Sequence, residues 1–546
     1  MSDPTRRVPK SIGADGVPVG TTITSPTENK VRAELSVVPH SVVPIILLPG
    51  IMGSNLFNTR YGEAAWTVNS KIGLAMQWIF RSSAKRQRWL NPDDIEVDLD
   101  GKFPGKSASV PNSKVGRERG WGGVAKAAYG DFLVWLDNAL NKDLLDADGE
   151  DPSPWQSYID NTDVGKQWGA EKPGEAGGFD PITQGESDHA LNFYCPVHAV
   201  GYNWLQSNID SGVELAAELK KIIEAWNSFE RGGEKPFKCE KVILVTHSMG
   251  GLVARAAVSP AHGGAADLVL GVVHGVMPAN GAAATYHHCR TGYDGIASFV
   301  LGRNAAQVTA IIGNAAGPLE LLPNQAYRTD WLRARTQANP TPLMGLPAGI
   351  EAAAATGDPY IDIYLEKERW WRLIDPGLID PDERYAGAKP PADPWVDGYA
   401  SQLKKARTYH KELVDKYHPL SYVHFGDDPQ QPSYNNLWWR SKTPVGMSGS
   451  SLVNARIQVG SDSDPVTLDV PGGIEFEIMP DKEAGEPGDN TVPVISGEAP
   501  LKTGGAVQGF RMKNVSHGDS YDDKHTHTRE SVVWSIGKLL SQAKEL

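Results

Sequence analysis

Hydrophobic residues along this chain gather in short unbroken runs, several of them followed by a stretch with helical spacing. Val42-Val43-Pro44-Ile45-Ile46-Leu47-Leu48 closes on Pro49-Gly50. A β-branched run bounded by turn residues predicts a strand buried on both faces. Pro196 to Val200 reads as a second strand. Behind it Leu215, Leu219, Ile222, Ile223 and Trp226 recur every three or four positions, which predicts a helix with one apolar stripe. Val242-Ile243-Leu244-Val245 is a further buried strand, a helix runs from about Gly250 to before Pro260, and Leu268 to Val273 is a strand again. This alternation predicts a mostly parallel sheet with helices on both faces. The strand pattern resumes at Ser421 to Gly426, and Val532, Val533, Ile536, Leu539 and Leu540 line one face of a C-terminal helix.

Between these segments the rhythm is lost. Residues 1–40 are polar, with proline and glycine throughout, and read as a flexible arm. Residues 58–190 are irregular apart from a helix-like stretch, Tyr129 to Leu145, and residues 281–417 mix alanine-rich, aromatic and charged segments. The expected organisation is core at 41–57, a cap insertion at 58–190, core at 191–280, a second cap insertion at 281–417 and core at 418–546. A peripheral hairpin is expected at about 450–480, from Ser451–Ile457 and Gly473–Ile478. Trp370-Trp371, Trp438-Trp439 and the runs Phe299-Val300-Leu301 and Leu343-Met344-Gly345-Leu346 offer apolar surface for a ligand, with plain burial as the competing use.

Composition narrows the classes. With 546 residues, 40% hydrophobic and 22% charged, the chain has material for a large core and is not a disordered segment. The 57 glycines and 39 prolines suit long connections and surface insertions. A net charge of −13 argues against a general nucleic-acid binder, which needs a basic face. Three cysteines are too few for a disulfide framework and lack metal-ligand spacing, which fits synthesis in a reducing compartment. The N-terminal residues lack the apolar run of a secretory signal, and Val42 to Met52 falls short of the ~20 residues that span a bilayer.

The chemistry concentrates at Val242 to Arg255. A buried strand runs into Thr246-His247-Ser248-Met249-Gly250 and a helix leaves at once, the nucleophile-elbow pattern G-x-S-x-G with Thr246 in place of the first glycine. Chain order supplies the partners: Asp489 in Gly488-Asp489-Asn490-Thr491-Val492-Pro493, then His517 ahead of the final helix. In that arrangement His517 takes the serine proton and Asp489 fixes the imidazole tautomer. His525 and His527 compete for the histidine, and Asp427 and Asp428, just past a strand, compete for the acid. His247 is expected to pack or line the pocket. Leu47 to Ser54 is a glycine-rich loop after an early strand; by position Ile51 or Met52 would donate one backbone N–H to an oxyanion and Met249 the other. Asp98-Leu99-Asp100-Gly101 and Asp146-Ala147-Asp148-Gly149 are half-patterns of calcium loops without the closing glutamate, and read as solvated turns. Lys85-Arg86-Gln87-Arg88 reads as an exposed helix face, with anionic headgroups as the alternative.

Leu48-Pro49-Gly50-Ile51-Met52-Gly53-Ser54, Thr246 to Gly251 and Gly488 to Pro493 together resemble the lecithin–cholesterol acyltransferase and GPI-inositol-deacylase-like branch of α/β-hydrolases. Gly201-Tyr202-Asn203-Trp204 resembles that group's Y-D-W element with Asn203 where Asp is usual, and Tyr422 to Gly426 its last strand before the acid. Arg119-Gly120-Trp121-Gly122, His274 to Ala279 and Leu321-Leu322-Pro323-Asn324 bring the resemblance closest to the bacterial type VI secretion lipase effectors. The resemblance covers most of 41–546. It implies an α/β-hydrolase with a Ser248-Asp489-His517 triad, acting as a phospholipase A on membrane glycerophospholipid without metal or organic cofactor. It also implies synthesis in a bacterial cytoplasm, delivery by a secretion apparatus into the periplasm of competitor cells, and a cognate immunity protein. Two other readings stand beside it: an acyltransferase using the same triad, and a non-catalytic binding module on a hydrolase fold.

Overall fold

Five of the apolar runs, joined by the segment Gln508–Met512, meet as parallel neighbours in one eight-stranded sheet. The computed structural model describes residues 5–7, 10–20, 32–34, 40–69, 78, 81–142, 153–293, 301–336, 339–342, 356–441, 451–452, 454–458, 465–470, 473–480 and 486–546. In chain order the sheet contains β1 (Ile45–Leu48), β2 (Ala170–Lys172), β3 (Glu175–Ala176), β4 (Val197–Ala199), β5 (Val242–His247), β6 (Val269–Gly275), β7 (Ser421–Gly426) and β8 (Gln508–Met512). Their order across the sheet is β3-β2-β8-β7-β6-β5-β1-β4. Only β2 and β3 at one edge run antiparallel to their neighbours. The fold is that of an α/β-hydrolase.

The central strands carry side chains that both faces can bury. Every residue of β1, β5, β6 and β7 is buried. Helices α2 (Asn208–Ser228) and α3 (Gly250–Val258) pack on one another closely enough that a Cβ at Gly212 would meet the Ala256 Cβ at 2.5 Å. They cover one face. On β6, a Cβ at Gly271 would strike Leu539 of α4 (Thr526–Leu540), whereas His274, of opposite parity, faces Gly251 of α3. Alternation along the strand thus puts α4 on the other face. The same face receives α1 (Lys126–Asn141), whose Phe132 stacks on Tyr521 with centroids 4.2 Å apart.

A second apolar core lies beside the sheet. Its five-stranded sheet has the order Asn339–Pro342, Leu332–Thr336, Leu437–Ser441, Ile474–Pro480, Val466–Leu468. The expected hairpin is therefore paired differently. Ile474–Pro480 lies antiparallel between Leu437–Ser441 and Val466–Leu468, while the described residues of Ser451–Ile457 form no strand and meet Leu468 of the sheet through an isolated bridge at Ile457. Trp370 packs on Trp439 at 5.3 Å and on Phe476 at 5.3 Å, so these tryptophans fill this core instead of offering open surface. Leu301 is buried; Phe299, Val300 and Leu343 to Leu346 lie outside the described residues, as does Asp146 to Gly149. Part of the N-terminal segment is also structured. Lys10–Ile12 pairs with Pro18–Gly20, Val17 is buried, and Asp15 forms an ion pair with Arg231 at 2.6 Å. The basic cluster divides: Arg86 is buried and donates to the Arg81 and Trp78 carbonyls, while Lys85 and Arg88 stay exposed on the helix, Arg88 pairing with Asp382. Asp98 accepts the Asp100 N–H within its own turn.

Burial of so many imidazoles has a consequence for stability. Removal from water holds His198, His274, His287, His410 and His424 neutral, pushing each down to about 3, and His247 to about 4. In the unfolded chain these groups protonate near pH ~6.5. The unfolded state therefore binds more protons as pH falls, so stability is complete above ~6.5 and is lost from there down to ~3. Each group contributes at most ~1.4 kcal/mol per pH unit in that window. Burial lifts the Glu320 carboxyl to about 8, which works the other way, but it is one group against six. Denaturant titrations at stepped pH should show stability falling steeply from about pH 6 downward; a flat profile to pH ~4.5 contradicts this.

Candidate active site

The turn between β5 and α3 forces Ser248 into the left-handed region, φ 51°, with its N–H donating to the Gly275 carbonyl at 2.8 Å. A non-glycine residue held there is strained, and the strain places its side chain at the head of the sheet. Close packing of strand and helix explains the small neighbour: a Cβ at Gly250 would lie 2.5 Å from the Pro49 carbonyl oxygen and 2.7 Å from that of Leu48. Thr246 is accommodated because its hydroxyl, fully buried, sits 3.3 Å from His274 Nδ1.

Three side chains from distant segments converge on this point. Ser248 Oγ lies 2.8 Å from His517 Nε2, and His517 Nδ1 lies 2.9 Å from Asp489 Oδ2. Asp489 is 1% exposed, and its other oxygen accepts the N–H groups of Thr491 at 3.0 Å and Val492 at 2.7 Å. Those bonds fix the carboxylate, and the His517 N–H donates to the Asp489 carbonyl at 2.8 Å, joining the two loops a second time. Ser433 Oγ accepts the Asp489 N–H and donates to the Val492 carbonyl, closing the turn. Since the carboxylate faces Nδ1, that nitrogen carries the proton and Nε2 is bare toward the serine hydroxyl. The arrangement can transfer a proton from Ser248 to His517 with the resulting charge stabilised beside Asp489.

The loop after β1 turns tightly, Gly53 N–H donating to the Gly50 carbonyl at 3.0 Å. Met52 sits at φ 63°, its carbonyl accepting Trp66 Nε1–H at 2.9 Å. Among the described residues no acceptor meets the Ile51 or Met249 N–H. Met249 stands at the N-terminus of the nine-residue α3, where the helix dipole adds positive potential. Gly50 N–H is already committed to Tyr129 Oη at 2.9 Å. Among the described residues no three His, Cys, Asp or Glu side chains gather as a metal site, and no helix is long and apolar enough to cross a membrane.

No protein-family model and no curated protein sequence matches the chain. A solved structure does: the Tle4-Tli4 complex contains a chain of 30% sequence identity, with a TM-score of 0.75, across 92% of this chain and 99% of that one. The chain belongs to the Tle4-like family of type VI lipase effectors. Lipase 1 from Pelosinus fermentans matches far more loosely, with a TM-score of 0.26 and 14% identity over 67% of this chain and 93% of that one. As a member of the Tle4-like family the chain is a lipase-like effector on an ester-hydrolase fold.

Within this Tle4-like chain the competing residues fall elsewhere. Asp427 faces Arg511 at 3.6 Å and Lys513 at 3.4 Å. Asp428 accepts the Asn514 and Gln430 N–H groups at 2.8 Å each, and its backbone bridges Gly488. It braces both loops without touching the imidazole of His517. His525 precedes α4 and His527 is exposed on it; neither bonds Ser248. His247 packs as expected, but it also bonds. Tyr129 was not singled out by its sequence context, since its site contact spans 118 positions. A tyrosine in the first turn of a helix carries no local mark of such a role.

Proposed function

We propose that the chain hydrolyses acyl esters of glycerophospholipids as a phospholipase A, with Ser248 as nucleophile, His517 as general base and acid, and Asp489 as the group that orients it. The observation that carries this is the unbroken line Ser248 Oγ–His517–Asp489 at 2.8 and 2.9 Å. Ser248 Oγ attacks the acyl carbonyl carbon while its proton passes to His517 Nε2. The carbonyl oxygen becomes an oxyanion, held by the Met249 N–H and the Ile51 N–H, with Met52 shaping the loop. Collapse breaks the ester bond, and His517 returns the proton to the departing lysophospholipid oxygen. Water then attacks the acyl-enzyme, giving its proton to His517, and free fatty acid leaves as Ser248 regains its hydrogen.

The effector would be made in the bacterial cytoplasm and delivered by the type VI apparatus into the periplasm of a target cell, where its lipid substrate lies. An immunity protein in the place that Tli4 takes in the Tle4-Tli4 complex would neutralise it. Purified protein with defined phospholipids should release lysophospholipid and fatty acid one for one. Acyl transfer to an added alcohol in preference to water would favour the acyltransferase instead. Absence of any turnover would favour the binding module.

Access adds a second expectation. Ser248 is 3% exposed and His517 retains 14% of its side-chain surface, and from this covering we infer that the insertions act as a cap that moves to admit a lipid acyl ester. A cap that opens at a lipid surface exposes apolar area there and buries it in water. Activity on a long-chain phospholipid should rise steeply across its critical micelle concentration, while a short soluble ester saturates simply. A rate curve with no break reads the insertions as fixed pocket walls.

A further inference from the structure

Three hydrogen bonds run from the loop after β1 to the His517 loop, and acyl transfer itself uses none of them. Gly50 N–H meets Tyr129 Oη at 2.9 Å, Tyr129 Oη meets His247 Nδ1 at 2.8 Å, and His247 Nε2 meets the His517 carbonyl oxygen at 2.9 Å. The directions are forced. A carbonyl oxygen only accepts, so His247 Nε2 carries hydrogen. Burial, with His517 close by, pushes His247 down to about 4, so the ring is neutral and Nδ1 is bare. Nδ1 therefore accepts the Tyr129 hydroxyl hydrogen, and the hydroxyl oxygen accepts the Gly50 N–H.

Packing leaves this chain little slack. The Tyr129 and His247 rings meet edge-on at 5.6 Å, and His247 lies 5.4 Å from the His517 ring and 5.8 Å from that of Tyr521. A Cβ at Gly50 would stand 2.8 Å from His247 Nδ1, and one at Gly53 2.8 Å from Tyr129 Cε2. The glycines of the loop thus let it close around these two rings. Tyr129 itself comes from α1, within the first insertion, so that insertion reaches into the site.

We propose that Tyr129 and His247 are positioning residues that hold the oxyanion loop and the His517 loop in register around Ser248. The proposal rests on the ester-hydrolase reading of that serine. Fixing the Gly50 N–H fixes the Pro49–Gly50 peptide, one link before the peptide that carries the N–H of Ile51, the proposed oxyanion donor, while the same imidazole anchors the backbone of the base. Both groups then address one carbonyl without rearranging during the reaction. Loss of the link leaves substrate binding intact and misplaces the two groups that act in the transition state.

Tyr129→Phe, His247→Leu and His247→Gln test it on a short soluble ester, with Ser248→Ala alongside and nitrogen-15 NMR of the imidazoles as a readout free of turnover. Tyr129→Phe and His247→Leu should each lower kcat about 10- to 100-fold with KM within about twofold. Gln keeps an acceptor and a donor and should recover most of that loss. NMR should show His247 neutral with hydrogen on Nε2, and its Nδ1 resonance should move in Tyr129→Phe. Unchanged kcat in Tyr129→Phe overturns the proposal, as does a Gln variant that falls as far as Leu, or a His247 tautomer protonated on Nδ1. If Ser248→Ala turns over as fast as the parent, the ester-hydrolase reading fails; the NMR result still decides whether the link exists.

Discussion

Ser248→Ala should lower kcat/KM for ester substrates on the order of 10⁴–10⁶-fold, leaving only what the oxyanion donors and substrate binding supply. The expectation follows from the elbow. Ser248 is held at φ 51° with its hydroxyl 2.8 Å from His517 Nε2, and alanine removes the nucleophile while keeping the Cβ that the turn already accommodates. The variant should fold as the parent does, because Ser248 Oγ bonds only the histidine among the described residues. Steady-state rates on a short ester, with melting temperature as the fold control, decide the matter. A correctly folded variant that retains a tenth of the parent activity moves the nucleophile elsewhere.

Asp489→Asn should cost about 10⁴-fold in kcat, because an amide in that place turns the imidazole to the wrong tautomer while leaving the geometry nearly intact. Asp489 faces His517 Nδ1 at 2.9 Å, and its second oxygen is held by the Thr491 and Val492 N–H groups. Those two donors fix which oxygen remains an acceptor, so the amide nitrogen would be driven toward the histidine. Asp427→Asn should act weakly, since Asp427 pairs with surface cations. Asp428→Asn should reduce stability more than rate, because its carboxylate braces the Asn514 and Gln430 backbone. Comparing kcat at matched folded fraction ranks the three acids. A larger loss at Asp428 than at Asp489 transfers the orienting role to the end of β7.

The sheet was legible in the sequence because parallel strands buried on both faces leave continuous apolar runs, as in Val242 to Val245 and Ile45 to Leu48. The triad candidates were legible because chain order places an acid in a turn and then a histidine after Ser248, but Asp427, Asp428, His525 and His527 satisfy that order too, and only the folded contacts of His517 separate them. The second core was not. Leu332–Thr336 pairs in parallel with Leu437–Ser441 across about a hundred residues, and no local period announces a partner so far away. The hairpin expected from Ser451–Ile457 failed for the same reason: Ile474–Pro480 found a better-buried partner in Leu437–Ser441, where Trp439 and Phe476 share the core. In the N-terminal segment, the polar residues, prolines and glycines read as a flexible arm, but Gly13 and Gly16 also allow a tight hairpin, which Val17 and the Asp15–Arg231 pair anchor to the body. Tyr129 shows the limit most clearly, since its value lies in a hydroxyl shared by Gly50 and His247, which only the folded chain brings together.

One measurement tests the central claim most directly. Phospholipid vesicles carrying distinguishable acyl chains at the two glycerol positions are incubated with the purified protein and with its Ser248→Ala variant, and all lipid products are quantified. The predicted result is fatty acid and lysophospholipid in equal amounts from the parent protein and neither from the variant. Fatty acid released equally by both proteins, or by neither, contradicts an ester hydrolase that works through Ser248.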